Sequence, residues 1–359
     1  MKIAFITRST LYKVPGGDTI QVTELAKHLR NNGTAADILF TNQKIDYPHY
    51  DLFYFSNIIR PSDILYHIPK IKKPFIVSPI LIDYNEFDCQ HREGISGLIF
   101  RRLRRSSIEY IKTISRWLKG NDRIQSKKYI WRGQNKSIRE ILSKATAVLP
   151  GTESEYKKLL HLFGIEKNYT VVPNGVDTTI FRTEENTIKN NRLVVCAARI
   201  EGLKNQLNLI KALNNTPYTL LIIGSPAPNQ GQYYAKCRKI AAKNIVFHNR
   251  LPQEILKGYY KEAKVHALPS WFETCGLSSL EAAAMGCNIV ITDKGYTSDY
   301  FGNDAFYCNP ASPESIFKAI DIAAKSNSSK QLQEKINANY TWQKAASTIQ
   351  EICKNIISE

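Results

Sequence analysis

Short apolar runs alternate with amphipathic stretches from the first residue to about residue 325. Residues 2–7, 36–40, 52–55, 75–78, 147–150 and 170–172 predict strands, because each is a compact apolar run bounded by turn-forming or polar residues. Between the first two, Ile20, Val22, Leu25, Ala26 and Leu29 recur at helical spacing, so residues 20–30 predict a helix. The polar stretch 182–192, with Glu184, Glu185, Asn186, Lys189, Asn190 and Asn191, reads as a linker. Beyond it the alternation restarts, with strands predicted at 193–197, 219–223, 245–247, 265–268, 288–292 and 305–308. Two successive strand and helix series imply an α/β protein with two doubly wound domains.

A chain of 359 residues, 43% apolar and 23% charged, has the composition of a folded globular protein, and its length favours two cores over one. Lys plus Arg number 49 against 32 Asp plus Glu, a formal net charge of +17, which makes an anionic partner an expectation without saying which one. The seven cysteines form no C-x-x-C pair and are scattered, which fits reduced thiols and a cytoplasmic setting. The first apolar run is too short for a signal peptide, and no apolar run approaches the ~18 residues of a membrane-spanning helix. A role at a membrane would then be peripheral.

In doubly wound sheets, ligands bind where strand ends lead into helices, so those loops carry the chemistry. After the first strand, Gly16 and Gly17 precede a helix and allow backbone N–H groups to approach an anion; an ordinary strand-to-helix turn would read the same way. The segment is not a G-x-G-x-x-G fingerprint, which weakens a dehydrogenase reading. After the strand ending at Ala197, Arg199 and Lys204 could together neutralise a diphosphate, although alone they also fit a solvated surface pair. After the strand at 265–268, Glu273 falls in a loop, while Ser278, Ser279 and the helix formers that follow place Glu281 early in a helix. Two carboxylates flanking a helix N-terminus can bind hydroxyl-bearing groups on either side of a phosphate, as a nucleotide sugar requires.

The ordered set of Val172-Pro173-Asn174-Gly175-Val176-Asp177, Arg199 with Lys204, and Glu273 followed after seven residues by Glu281 resembles the retaining family 4 glycosyltransferases, or glycosyl transferases group 1. Tyr340-Thr341-Trp342 is similar to that family's aromatic segment before a terminal helix. The resemblance implies a GT-B fold, two Rossmann-like domains facing across a cleft: residues 1–180, completed by a C-terminal helix at 341–359, and the nucleotide-sugar domain at 181–340. It implies that Arg199 and Lys204 hold the donor diphosphate and stabilise the departing charge, that Glu281 binds ribose hydroxyls, and that Glu273 binds the transferred sugar. Cys275, Gly276, Leu277 and Ser278 would complete the donor pocket through backbone amides, joined by Asn174 and Gly224, with Gly16 and Gly17 closing from the first domain. Family members commonly carry a His after the fourth strand; this chain reads Ser78-Pro79-Ile80-Leu81-Ile82-Asp83, and Asp83 is the candidate replacement or simply a loop cap. The sequence contains no D-x-D triplet and no His pattern with metal-ligand spacing, so no metal cofactor is expected and leaving-group stabilisation falls to Arg, Lys and helix amides.

Residues 88–140 read as an insertion in which fourteen cations oppose five acids, interleaved with apolar residues at partly helical spacing. Arg101, Arg102, Arg104, Arg105 and Trp117 mark it as a basic amphipathic surface for an anionic membrane or a lipid-linked saccharide; a solvated helical hairpin would carry the same composition. The expected activity is transfer of a hexose from a nucleotide-diphosphate sugar to a saccharide acceptor, lipid-linked, in synthesis of O-antigen or capsule-type surface polysaccharide. The alternative within the fold is a nucleotide-sugar epimerase. Nucleic acid is not an expected partner, since no nucleic-acid-binding motif is present and Glu273 and Glu281 would then have no role.

Overall fold

A computed structural model describes residues 1–92, 94–103, 105–120, 123–183 and 187–358. The chain divides into two compact units, Met1–Asn174 together with the C-terminal segment from Trp342, and Gly175–Thr341.

The first unit contains, in order, β1 (Lys2–Thr7), α1 (Gly17–Asn31), β2 (Ala35–Phe40), β3 (Leu52–Ser56), α2 (Pro61–His67), β4 (Phe75–Ser78), α3 (Gly94–Phe100), α4 (Arg105–Leu118), α5 (Lys128–Lys144), β5 (Ala147–Val148) and α6 (Glu153–Phe163). All its strand pairs are parallel, in the order β2-β1-β3-β4-β5. Helices on both faces of a parallel sheet exclude water from both sides, which is why β1, β3 and β4 are nearly continuous apolar runs with Ile3, Phe5, Phe53, Phe55, Ile76 and Val77 buried.

Residues 170–172, expected as a strand, form none. They run beside β5, with Thr170 N donating to Val148 O at 3.2 Å and Val172 N to Pro150 O at 2.8 Å, but two-residue β5 offers too little ladder for a further strand. The basic segment also divides differently from its composition. Lys128–Lys144 is two helical segments joined at non-helical Gly133, and its Tyr129, Ile138, Ile141 and Leu142 lie in the core of the unit. Residues 128–140 are therefore part of the α/β framework, and only the stretch before them stands apart from the alternation. Among its acids Asp88 is 1% exposed, paired with Arg92 at 2.6 Å and with Lys112, so those cations are spent inside the protein.

The second unit contains β6 (Asn190–Ala197), α7 (Gln206–Leu213), β7 (Thr219–Ile223), α8 (Gly231–Ile240), β8 (Ile245–His248), α9 (Gln253–Glu262), β9 (Ala263–Leu268), α10 (Leu277–Ala284), β10 (Asn288–Thr292), α11 (Thr297–Phe301), β11 (Phe306–Cys308), α12 (Pro313–Lys325) and α13 (Lys330–Asn339). Its parallel sheet has the order β11-β10-β9-β6-β7-β8. β6 starts at Asn190, inside the stretch expected as linker, because exposed polar residues extend the strand beyond its buried part. The last helix, α14 (Trp342–Ser358), packs on α1 of the first unit, where Gln350 Nε2 donates to Asn32 O at 3.0 Å and to Thr34 Oγ1 at 2.7 Å. No helix among the described residues is long and apolar enough to cross a membrane.

Candidate active site

In the second sheet the chain leaves β6 for β7 and β8 on one side, then crosses to β9, β10 and β11 on the other. The order reverses between β6 and β9, the kind of position at which open α/β sheets bind ligands. Arg199 and Lys204 lie in the loop after β6, and Glu273 lies in the loop after β9. Lys204 Nζ approaches Glu273 Oε1 to 2.5 Å. Glu273 is 6% exposed and Lys204 is only partly exposed, so a carboxylate and an ammonium are desolvated together at the reversal.

Both loops are fixed by backbone contacts. Asn205 adopts a left-handed φ of 59° and turns its side-chain amide to donate to Pro269 O at 3.0 Å and Pro310 O at 2.7 Å, while Trp271 N donates to Leu203 O at 3.0 Å. Gln206 Nε2 donates to Arg199 O at 2.8 Å. The Arg199 guanidinium is largely exposed and donates to Glu201 Oε1 at 2.9 Å. On the other side Glu273 N donates to Lys294 O and Tyr296 N to Glu273 O, both at 3.0 Å. A Cβ at Gly295 would fall 1.9 Å from Glu273 O, so only glycine lets this strip pass. Gly224, at the end of β7, has the same restriction against Ala198 O.

Gly276, with φ of 69°, turns the chain into α10, so that the first-turn amides of Leu277 and Ser278 have no partner within the helix. Cys275 is buried and its side chain packs in the core, leaving its backbone as the part near the turn. Glu281 sits in the second turn of α10, buried, and Gln253 Nε2 donates to its Oε1 at 3.1 Å. Burial pushes its carboxyl up to about 7, with the Gln253 bond opposing. Behind it, His266 on β9 holds Ser279 Oγ at 3.3 Å from Nδ1, and burial keeps the imidazole neutral by lowering it to about 3.

The structure thus gathers Arg199, Lys204, Gly224, Glu273, Cys275, Gly276, Leu277, Ser278 and Glu281 around the loops of one unit. Asn205, Gln206, Gln253 and Gly295 support them and were missed by the motif reading. The Asn205–Gln206 pair directly follows Lys204, and Gly295 lies in the turn Asp293-Lys294-Gly295, but neither neighbourhood reveals its distant partner, Pro269 for Asn205 and Glu273 for Gly295.

In the first unit, the order reverses between β1 and β3. Gly16 caps α1 and Gly17 begins it, at the end of a loop wrapped around Arg8, whose guanidinium donates to Asp18 at 2.7 and 3.0 Å and to Val14 O at 2.8 Å. Arg8, Asp18, Asn57, Arg60 and Asp63 line a small cavity at this edge. Asp83 pairs with Lys158 at 2.7 Å and accepts from Asn85. Burial raises its carboxyl, but Lys158 and Asn85 outweigh that and hold it below the usual range. Asn174 is the last residue of the first unit. Arg101 and Arg102 are exposed, Trp117 is 42% exposed, Arg104 lies outside the described residues, and the Arg105 side chain is likewise not described.

The two parallel sheets and their flanking helices define an α/β protein of the GT-B type. Residues 177–342, nearly the whole of the second unit, match the family model of glycosyl transferases group 1. A D-inositol 3-phosphate glycosyltransferase from Acidothermus cellulolyticus is 27% identical over 179 residues, 44% of this chain and 40% of that protein. The chain therefore spans about two fifths of that relative's length. An uncharacterized 41.2 kDa protein in the cps region of Klebsiella pneumoniae is 25% identical over 246 residues, 62% of this chain and 65% of that one. The crystal structure of Anabaena Alr3699/HepE in complex with UDP and glucose superposes with a TM-score of 0.71 at 14% identity, covering 99% of each chain, which shows the shared fold.

Proposed function

We propose that this protein is a retaining hexosyltransferase that moves a sugar from a nucleoside diphosphate donor to a lipid-linked saccharide in surface polysaccharide synthesis. The Lys204–Glu273 pair at the β6/β9 reversal carries the reading. It places a cation for the diphosphate beside a carboxylate for sugar hydroxyls, with the α10 N-terminus and Glu281 within the same loop system. Arg199 and Lys204 receive the charge that develops on the leaving phosphate, and the first-turn amides of α10 add to it. In a same-face displacement the departing phosphate oxygen takes the acceptor proton, so no dedicated protein base is required. Asp83 then serves to position the sugar.

UDP in the HepE complex supports a UDP donor, and the cps-region relative supports a capsule-type product. The absence of D-x-D from the sequence, together with the Arg199 and Lys204 cations, supports a metal-independent reaction. Exposed Leu98, Ile99, Arg101 and Arg102, with exposed Trp117 and Leu118 at the end of α4, support peripheral attachment to an anionic cytoplasmic membrane face. The test is to supply UDP-, GDP- and dTDP-hexoses with and without a lipid-linked acceptor fraction and follow nucleoside diphosphate release. Release that requires the acceptor supports transfer. Conversion of a nucleotide sugar to its epimer without acceptor would replace the proposal with an epimerase.

A further inference from the structure

At the carboxyl end of β4 the chain makes a turn that its residue types do not favour. Ile80 has φ of 45°, in the left-handed region that a β-branched side chain rarely enters. Conformations of this kind persist only where the surroundings over-determine them, and they concentrate at functional sites. Here the surroundings are explicit. Asn57 N donates to Ser78 O at 2.9 Å and Ile58 N to Pro79 O at 2.8 Å, which fixes the near side of the turn to the loop after β3.

The far side is held by α6. Glu155, 4% exposed, accepts from Leu81 N through Oε1 and from Gly151 N through Oε2, both at 2.6 Å. One buried carboxylate thereby joins the loop after β4 to the loop after β5. Three residues further along the same helix face, Lys158 pairs with Asp83 at 2.7 Å. The helix grips the segment at two points, on either side of Ile82.

We propose that Glu155 is a positioning residue of the transfer site, holding residues 79–83 in the strained turn that sets Asp83 at the carboxyl edge of the first sheet. This rests on the sugar-positioning role of Asp83 in the proposed function. A carboxylate is suited to the task because it alone among side chains offers two acceptor oxygens and no donor. Burial pushes Glu155 up to about 7, and the Leu81 and Gly151 amides oppose that rise. An ordinary helix N-terminus would not need it, because Thr152 already caps α6, its Oγ1 accepting from Glu155 N at 3.1 Å.

The experiment uses the full chain with Glu155→Ala, Glu155→Gln and, as a helix-cap control, Thr152→Ala. Hydrogen exchange across residues 79–85 is expected to rise about tenfold or more in Glu155→Ala, where two buried amides lose their acceptor, and by less in Glu155→Gln, which keeps one. Thr152→Ala is expected to lower the melting temperature while leaving exchange in 79–85 at the wild-type rate. With UDP-glucose as the probe, UDP release by Glu155→Ala is expected to fall on the order of 10²-fold in kcat with KM unchanged, as misplacement of a reacting group predicts. Wild-type exchange in Glu155→Ala, or an equal rise in Thr152→Ala, would overturn the clamp. Wild-type kcat in a variant whose loop exchanges fast would overturn its role in the reaction. A wild type that releases nucleoside diphosphate from neither UDP-, GDP- nor dTDP-glucose defeats the transferase reading itself, and the exchange comparison then still decides the clamp.

Discussion

Lys204 and Glu273, 69 residues apart in sequence, meet at 2.5 Å because β6 and β9 are neighbours in the second sheet and each residue lies in the loop that follows its strand. The pair ties the cation proposed for the diphosphate to the carboxylate proposed for the sugar, so neither can be altered without disturbing the other.

Lys204→Ala strands a carboxylate that is 6% exposed, and breaking a buried pair costs about 3–5 kcal/mol, less here because the lysine keeps some solvent. A double mutant Lys204→Met/Glu273→Gln should therefore lose less stability than the sum of its single mutants, as read by denaturant titration. Strict additivity would show that the two side chains do not interact. Turnover of Lys204→Ala should fall on the order of 10²-fold or more, since charge stabilisation at the leaving group is lost.

Glu281 makes a pH-dependent prediction. Its folded carboxyl is raised to about 7 from an ordinary 4.5, so the folded state favours the neutral form; stability from this group is present at low pH and is lost as pH rises from about 4.5 through about 7. Glu281→Gln should remove that loss and be more stable than wild type at pH 8, by up to about 3 kcal/mol, with the gap closing below pH 4.5. In the proposed donor site, ribose hydroxyls would donate to the ionised form. Wild-type affinity for UDP should then rise between pH 6 and 8 with proton release on binding, measurable by calorimetry in two buffers, and Glu281→Gln should show neither. PH-independent UDP binding by the wild type would remove Glu281 from the nucleotide site.

Activity should survive excess EDTA if, as proposed, Arg199, Lys204 and the α10 amides supply the countercharge. Loss of transfer that Mg²⁺ or Mn²⁺ restores would overturn the metal-independent reading.

The exposed residues of α3, α4 and the turn between them should bind vesicles of anionic phospholipid at low salt, and Arg101→Glu/Arg102→Glu should release the protein. Each cation near such a surface contributes about 1 kcal/mol, and the Debye length falls from roughly 30 Å at 0.01 M to 3 Å at 1 M salt. Binding should fade over that range while UDP affinity is unchanged. A wild type that does not sediment with anionic vesicles at low salt would leave the patch a solvated surface.

The sequence by itself determined the two strand and helix series, because burial on both faces of a parallel sheet demands apolar runs that remain legible without any partner. It also marked the loops holding Arg199, Lys204 and Glu273 and the helix start before Glu281, since glycine, serine and charge interrupt those runs. It misjudged elements whose fate depends on neighbours. Residues 170–172 had the composition of a strand but only two-residue β5 beside them, and residues 128–140, the end of the expected basic insertion 88–140, have Tyr129 and Ile138 in the core. Tertiary structure alone decided the strand order, and with it that Lys204 faces Glu273, that Gln253 reaches Glu281, and that Glu155 holds Leu81 across 74 residues. Hydrophobic periodicity records which side of an element is buried. Which elements then become neighbours is set by crossovers and packing among residues far apart in the chain, and those leave no local pattern to read.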